Sequence, residues 1–226
     1  LTFNHVDLDL PQLERETIDG VRYYKVPDND ELIKLVSITS VISHINREKF
    51  IGWRKKVGEE QANKITKRAT SRGTDTHSLI ESYLLNETLP SVQPISEYLF
   101  KIAKTTLNRI NDIYCLESSL HSKILGVAGT VDTIAKFDGE LSVIDYKTSK
   151  EPKPIEWIEG YFVQAMFYAM AFYEMTGIMV KKLVIIMTCE NGECVVYEER
   201  NLKKYMKLVV KYIKEFVNDK LNQIAK

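Results

Sequence analysis

Asp132, Asp145 and Lys147 are the residues whose types and spacing point most directly to chemistry. They lie in the stretch from Gly129 to Ser149, GTVDTIAKFDGELSVIDYKTS. Two alternating apolar segments flank Phe137-Asp138-Gly139-Glu140, and Asp-Gly between such segments is the strongest short-range signal for a two-residue hairpin loop. With Asp138 and Gly139 as the loop, Phe137 faces Glu140, and counting outward puts Asp132 directly opposite Asp145. That is a non-hydrogen-bonded position, where Cβ atoms on one face approach to roughly 4.5–5.5 Å. Like charges so placed repel, so a positive partner is expected between them. Lys147, two residues beyond Asp145, falls on the same face of the strand. Hard oxygen ligands of this kind suit Mg²⁺ or Mn²⁺. An ion held between them could orient water for in-line attack on a phosphodiester. Lys147 would steer and deprotonate that water or stabilise the developing charge. A structural salt bridge among the three is the alternative that spacing leaves open.

The elements that must position these side chains follow from periodicity and turn chemistry. Leu1 to Gly20 reads as an extended arm or loosely packed strand. Val21 to Val26 is a strand ending at Pro27, Glu31 to Val36 a returning strand, and Ser37-Ile38-Thr39-Ser40 a capped helix start. Arg47 to Val57 is a basic segment with Phe50 and Trp53 at helical spacing. Glu59 to Asn86 follows as one long helix or two broken near Gly73. Ile95 to Ile110 is a helix by period, and Tyr114 to His121 the strand before the hairpin. Trp157 to Met175 has the composition of a helix buried on a sheet. Lys182 to Thr188 and Glu193 to Tyr197 are strands joined at Asn191-Gly192. Asn201 to Ile224 closes with an amphipathic helix. The order describes an α/β fold with a mixed central sheet and helices on both faces.

Formal net charge is zero, yet the charges are segregated. Arg47 to Arg72 holds nine Lys or Arg against three acids, Arg200 to Lys226 eight against two, and the intervening stretch ten against eighteen. An acidic centre between basic flanks suits an enzyme whose carboxylates hold cations while basic arms hold a polyanion; solvated helix faces would also give such runs. Aromatics among Lys and Arg suit stacking on unpaired bases, although Trp53 reads first as an ordinary core anchor of an amphipathic helix. No apolar run approaches ~18 residues, so no membrane span is expected. Leu1 to Leu10 has no secretory pattern, and the absence of an initial Met suggests a trimmed leader or tag. Cys115, Cys189 and Cys194 do not form a disulfide framework and cannot supply the four thiolates of a usual iron–sulfur cluster. An intracellular, reducing compartment is expected, the cytoplasm of a bacterial or phage-infected cell before the mitochondrial matrix.

Gly129-x-x-Asp132 followed by Asp145-Tyr146-Lys147-Thr148-Ser149 resembles the PD-(D/E)XK nuclease signature in its RecB-like form. Three further motifs agree. Arg72-Gly73-Thr74-x-x-His77-x-x-x-Glu81 resembles the upstream helical motif of RecB-type nucleases, Glu117 stands on the strand before the hairpin, and Gln164-x-x-x-Tyr168 matches the downstream Q-x-x-x-Y helix. No proline precedes Asp132, and the second acid is Asp145 where Glu is also found. From about Ser37 onward the chain is similar to the mitochondrial genome maintenance exonuclease family and its phage relatives.

The resemblance implies a restriction-endonuclease-like core with an N-terminal helical elaboration, in one nuclease domain over 1–226. Within it, 1–90 would be the arm and basic helical region and 91–226 the core. The catalytic set implied is Asp132, Asp145, Lys147, Glu117, His77, Gln164 and Tyr168. Asp132, Asp145 and His77 would hold Mg²⁺ or Mn²⁺, His77 acting as ligand or base. Glu117 would be a metal-side or more distant carboxylate. Glu81 would orient His77 or form a surface ion pair. Gln164 and Tyr168 would bond a phosphate or support Lys147. Expected DNA contacts are Ser37, Thr39, Trp53, Arg54, Lys55, Arg68, Arg72, Thr148 and Ser149. The implied activity is a metal-dependent DNA exonuclease preferring single strands, flaps or free ends, in replication, recombination or repair. A structure-specific endonuclease and a non-catalytic DNA-binding module are the alternatives.

Overall fold

The computed structural model describes residues 2–224. In chain order its elements are β1 Glu14–Ile18, β2 Val21–Asp28, β3 Glu31–Ser37, α1 Ile38–Ile45, α2 Arg47–Val57, α3 Glu59–Leu84 and α4 Pro94–Leu107. There follow β4 Ile110–Ser122, β5 Val127–Phe137, β6 Glu140–Ser149, a 3₁₀ turn Ile155–Trp157, α5 Glu159–Thr176, β7 Lys182–Cys189, β8 Cys194–Glu199 and α6 Leu202–Ile224. The strands join in one mixed sheet, ordered β1-β2-β3-β5-β6-β7-β8, with β4 on the other edge of β5. Helices cover both faces, so the mixed α/β architecture expected from the element order is the one observed.

Local sequence accounts for most of this. Asp138 and Gly139 both have positive φ, 52° and 78°, as a type I′ hairpin requires, and Phe137 pairs with Glu140. β7 reads KLVIIMTC and is buried at every position, the pattern of a strand covered on both faces. On one face Phe162, Phe167 and Phe172 of α5 pack over Val143, Leu183 and Ile185 with help from α6. On the other, Leu79 and Leu84 of α3 and Phe100 and Leu107 of α4 cover Ile113, Ile144 and Val184. Gly73 does not break α3, which runs without interruption from Glu59 to Leu84; a single glycine costs only about 1 kcal/mol in a helix whose apolar face is buried.

Two elements differ from the periodicity reading. The first residues are tied down more firmly than a loose arm: Phe3 is buried, and the Ile113 backbone exchanges hydrogen bonds with Asn4 and Val6. The helix after the hairpin begins at Glu159, leaving Trp157 in the 3₁₀ turn before it. Pro152 and Pro154 precede that turn and hold the approach extended.

β5 is the hub. Its opening residues Val127 and Ala128 run parallel to β3, while its closing residues from Thr133 to Phe137 pair with β6. Between those contacts, Gly129 to Asp132 face neither neighbour, and the sheet opens. Gly129 is required there for space: a Cβ on it would lie 2.8 Å from Tyr168 Cε1 and 3.1 Å from Ile38 Cγ2. Tyr168 is buried and cannot swing away without leaving its packing. Gly129→Ala is therefore expected to cost about 1–3 kcal/mol through overpacking, read as a lower urea midpoint at unchanged m-value.

Candidate active site

The opening in the sheet is stitched by side chains. The β5–β6 ladder runs from Phe137–Glu140 to Thr133–Ile144 and stops, one step short of the Asp132–Asp145 juxtaposition that counting from the turn gives. In a continued antiparallel ladder the next hydrogen-bonded rung would join Val131 and Tyr146. Here the Tyr146 N–H donates instead to Asp132 Oδ2 at 2.9 Å, and His77 Nε2 donates to the Tyr146 carbonyl at 2.9 Å. A carbonyl can only accept, so Nε2 carries the proton and Nδ1 is left facing the carboxylates. Nδ1 lies 3.8 Å from Asp132 Oδ2 and 3.8 Å from Glu117 Oε1.

His77, Glu117 and Asp132 are the described residues that could hold a metal ion, with one ligand atom from each within 4.8 Å of the others. α3 supplies His77, β4 supplies Glu117 and β5 supplies Asp132. Glu117 stands at φ 46°, a left-handed conformation that costs a non-glycine residue of order 1–3 kcal/mol. The strain sits where the side chain is turned toward the cluster. An imidazole nitrogen with two carboxylates is a donor set for a divalent ion of intermediate hardness. The hydrogen bond from Nε2 is the outer contact that fixes a ligating imidazole.

Asp145 lies outside that trio but adjoins it. It is 1% exposed, and neither oxygen has a hydrogen-bond partner among the described residues. Oδ2 has only the Lys147 ammonium at 2.5 Å, an ion pair without hydrogen-bond alignment. Burial pushes the Asp145 pKa up to about 6 against the pull of Lys147. For Lys147, burial acts downward, yet Asp145 and Asp132 outweigh it and keep the amine above the ordinary lysine range. Its Nζ also lies 5.0 Å from the Tyr161 ring centroid, a cation–π contact. For His77, burial again acts downward, and Asp132 and Glu117 overcome it to raise the pKa to about 9. A buried carboxylate with one poorly aligned ammonium, and two further acids that draw a proton onto His77, are arranged to favour a cation, which would take the place of that proton on Nδ1. The residues present fit a divalent ion.

The remaining sequence-derived positions divide between the neighbourhood of this centre and the N-terminal helices α2 and α3. Gln164 Nε2 donates to Tyr168 Oη at 3.3 Å, one turn apart on α5 and against Gly129. Glu81 is one turn beyond His77, its pKa raised by burial and by Glu117. Arg72 donates from Nε to Thr148 Oγ1 at 3.2 Å and ion-pairs with Glu190. The Ser149 carbonyl accepts from the Glu190 N–H at 3.0 Å. Ser37 is buried, its Oγ 2.7 Å from Thr39 Oγ1. On α2, Trp53 stacks on Phe50 with centroids 5.5 Å apart, and Arg54 is held by Glu59 and Asn63. Lys55 and Arg68 are exposed. Sequence reasoning missed Tyr161 and the Tyr146 backbone. Tyr161 had a usable signal, since 161, 164 and 168 share one helical face; a backbone group has none.

Two outcomes follow. Asp132→Ala orphans the Tyr146 N–H and is expected to cost about 1–3 kcal/mol, whereas Asp132→Asn keeps an acceptor oxygen and most of the stability; thermal denaturation of the metal-free variants separates them. The raised His77 pKa contributes stability that is complete below about 6.5 and lost as pH rises through about 9. The urea midpoint of chelator-treated protein should therefore fall across that interval, and His77→Gln should flatten the fall.

Comparison with known proteins agrees with the geometry. Residues 54–220 match the family model described as the PD-(D/E)XK nuclease superfamily. Mitochondrial genome maintenance exonuclease 1 of Mus musculus is 32% identical over 102 residues, 44% of this chain and 30% of that protein. The Homo sapiens protein of the same name is 29% identical over 114 residues, 49% of this chain and 31% of its own length. The matched segments thus span about a third of these relatives. The solved structure of LHK-Exo in complex with dAMP is 12% identical with a TM-score of 0.35, over 67% of this chain and 80% of that one. A match over most of the chain, on a mixed sheet whose opening gathers the signature acids and lysine, means that the chain belongs to the PD-(D/E)XK nuclease superfamily.

Proposed function

We propose that the chain is a metal-dependent deoxyribonuclease of exonuclease type, hydrolysing phosphodiester bonds near a free end and preferring single-stranded DNA or flaps, in replication, recombination or repair. One observation carries the reading: His77 Nδ1, Glu117 and Asp132 converge beside an Asp145 carboxylate whose sole charged partner is Lys147. Mg²⁺ or Mn²⁺ would be held by Asp132, Glu117 and His77, with Asp145 alongside. The bound ion would supply a Lewis acid for the phosphoryl oxygens and lower the pKa of a bound water.

The protein's own groups have separable tasks. Lys147 is kept cationic by Asp145 and Asp132, so it acts as a hydrogen-bond donor that orients the attacking water and stabilises the phosphoryl charge, rather than as the base. Asp145 fixes that ammonium, and Tyr161 backs it. The Tyr146 backbone sets His77 and Asp132. Gln164 and Tyr168 wall the opening beside Gly129, within reach of a phosphate. The basic face of α2 and the first half of α3, with exposed Lys55 and Arg68, would hold the strand leading to the site. The described residues contain no disulfide, Cys115, Cys189 and Cys194 being free, which suits a reducing compartment.

The test is cleavage of end-labelled single-stranded DNA after chelation and return of Mg²⁺ or Mn²⁺. Wild type should recover activity only with the ion, and Asp145→Ala and Lys147→Ala should each lower kcat by about 10³-fold or more. Circular single strands should survive intact. Cleavage that persists in the Asp145→Ala, Lys147→Ala double variant, or in chelator, would remove this site from the mechanism.

A further inference from the structure

Trp157 is the one tryptophan with no role so far, and it is 77% exposed. It is not on a floppy segment. Its backbone N–H donates to the Pro154 carbonyl at 3.0 Å, and the Ile158 N–H to the Ile155 carbonyl at 3.2 Å, closing the 3₁₀ turn behind two prolines. The ring is thus held out in solvent by a stiff backbone, which costs apolar hydration without a packing gain.

The ring borders a groove of about 500 Å³ between the α1–α2 junction, the 3₁₀ turn, the N-terminal end of α5 and the middle of α6. Trp157, Tyr161 and Tyr212 give it three aromatic walls, and Asn46 offers an amide. Gly160 also lines it, where a Cβ would come within 3.5 Å of Ile42 Cγ2 and 3.8 Å of Asn46 Nδ2. The volume is that of a small-ligand pocket.

Tyr161 is shared by the groove and the candidate active site. That ring lies 5.0 Å from Lys147 Nζ and 5.5 Å from Lys153 Nζ, and the Lys153 ammonium donates to Tyr161 Oη at 3.1 Å. Lys147 and Lys153 thus both approach the residue that lines the groove. The lining is of mixed charge with an acidic excess: Glu156 and Glu159 both line it, Glu159 accepting from Tyr212 Oη at 3.2 Å, against the single cation Lys49. Net negative charge disfavours a phosphate inside, so the uncharged part of a DNA strand is the part suited to enter while its backbone follows the lysines. Aromatic walls with acceptors nearby suit a nucleobase, whose face stacks and whose amino edge donates.

We infer that this groove binds an unstacked nucleobase of the substrate strand next to the scissile phosphate, with Trp157 as its stacking platform. The inference rests on the nuclease reading and adds a requirement: the strand must be unpaired at that nucleotide for its base to turn in. Trp157 is then a positioning residue that selects single strands over duplex.

Because Trp157 is exposed, Trp157→Ala is not expected to disturb folding. In Mn²⁺ it should raise KM for a single-stranded oligonucleotide by about 10- to 100-fold, the cost of one lost stack, with kcat within about twofold of wild type. Trp157→Phe should restore most of the loss. An abasic nucleotide walked along the strand should find one position at which wild type and Trp157→Ala no longer differ. The same series read as binding in Ca²⁺, by anisotropy of a labelled strand, gives the ratio of Kd values without relying on turnover. Equal KM and equal Kd for wild type and Trp157→Ala on intact strands, with cleavage unimpaired, would overturn the inference while leaving the nuclease reading in place. If no divalent ion supports cleavage but the Kd difference and its abasic position persist, the nuclease reading fails and the groove stands.

Discussion

The backbone of Tyr146 is the constraint on which the site depends. At that residue β6 has lost its β5 partner, and a strand interior cannot leave an N–H and a carbonyl unpaired at little cost. The two groups are satisfied by Asp132 and His77, side chains from a strand and a helix far apart in the chain. The same bonds that close the accounting of the sheet fix the direction of the free Asp132 oxygen and of His77 Nδ1. Structural and chemical demands coincide on two residues. Their geometry is therefore as well determined as that of the sheet.

Electrostatics supply the second half of the argument. A carboxylate as buried as Asp145 is normally surrounded by donors; it has one ammonium, poorly aligned for hydrogen bonding. His77 is pushed toward its charged form by Asp132 and Glu117, against its burial and the nearby Lys147. Each group is individually unfavourable in the metal-free chain. They become mutually consistent around a divalent charge, which is the usual sign that stability has been given up for function at a site.

The surroundings divide by sign. The basic N-terminal helices and the lysines after β6 can follow a phosphate backbone, while the groove beside Tyr161 carries carboxylates and rings. A polyanion with aromatic bases is sorted by such a surface into backbone and base. Exposed aromatics held on short, rigid elements serve this purpose with little ordering cost, and Trp157 on its 3₁₀ turn has that character.

The sequence by itself determined the hairpin, its turn type and its register, because Asp-Gly admits one tight loop and period-two alternation admits one facing. It also determined the helices bearing His77 and Gln164 and the mixed α/β class, all through short-range chemistry. Glu117 could be placed on its strand but not turned toward the cluster, since a left-handed φ at a non-glycine strand residue leaves no sequence signal. That Asp132 takes the bond a backbone rung would have made, that Asp145 is sealed with its oxygens orphaned, and that Trp157 stands outside its helix were decided only in three dimensions. The first two depend on where β5 leaves β3 for β6, a choice made by contacts between segments far apart in the chain.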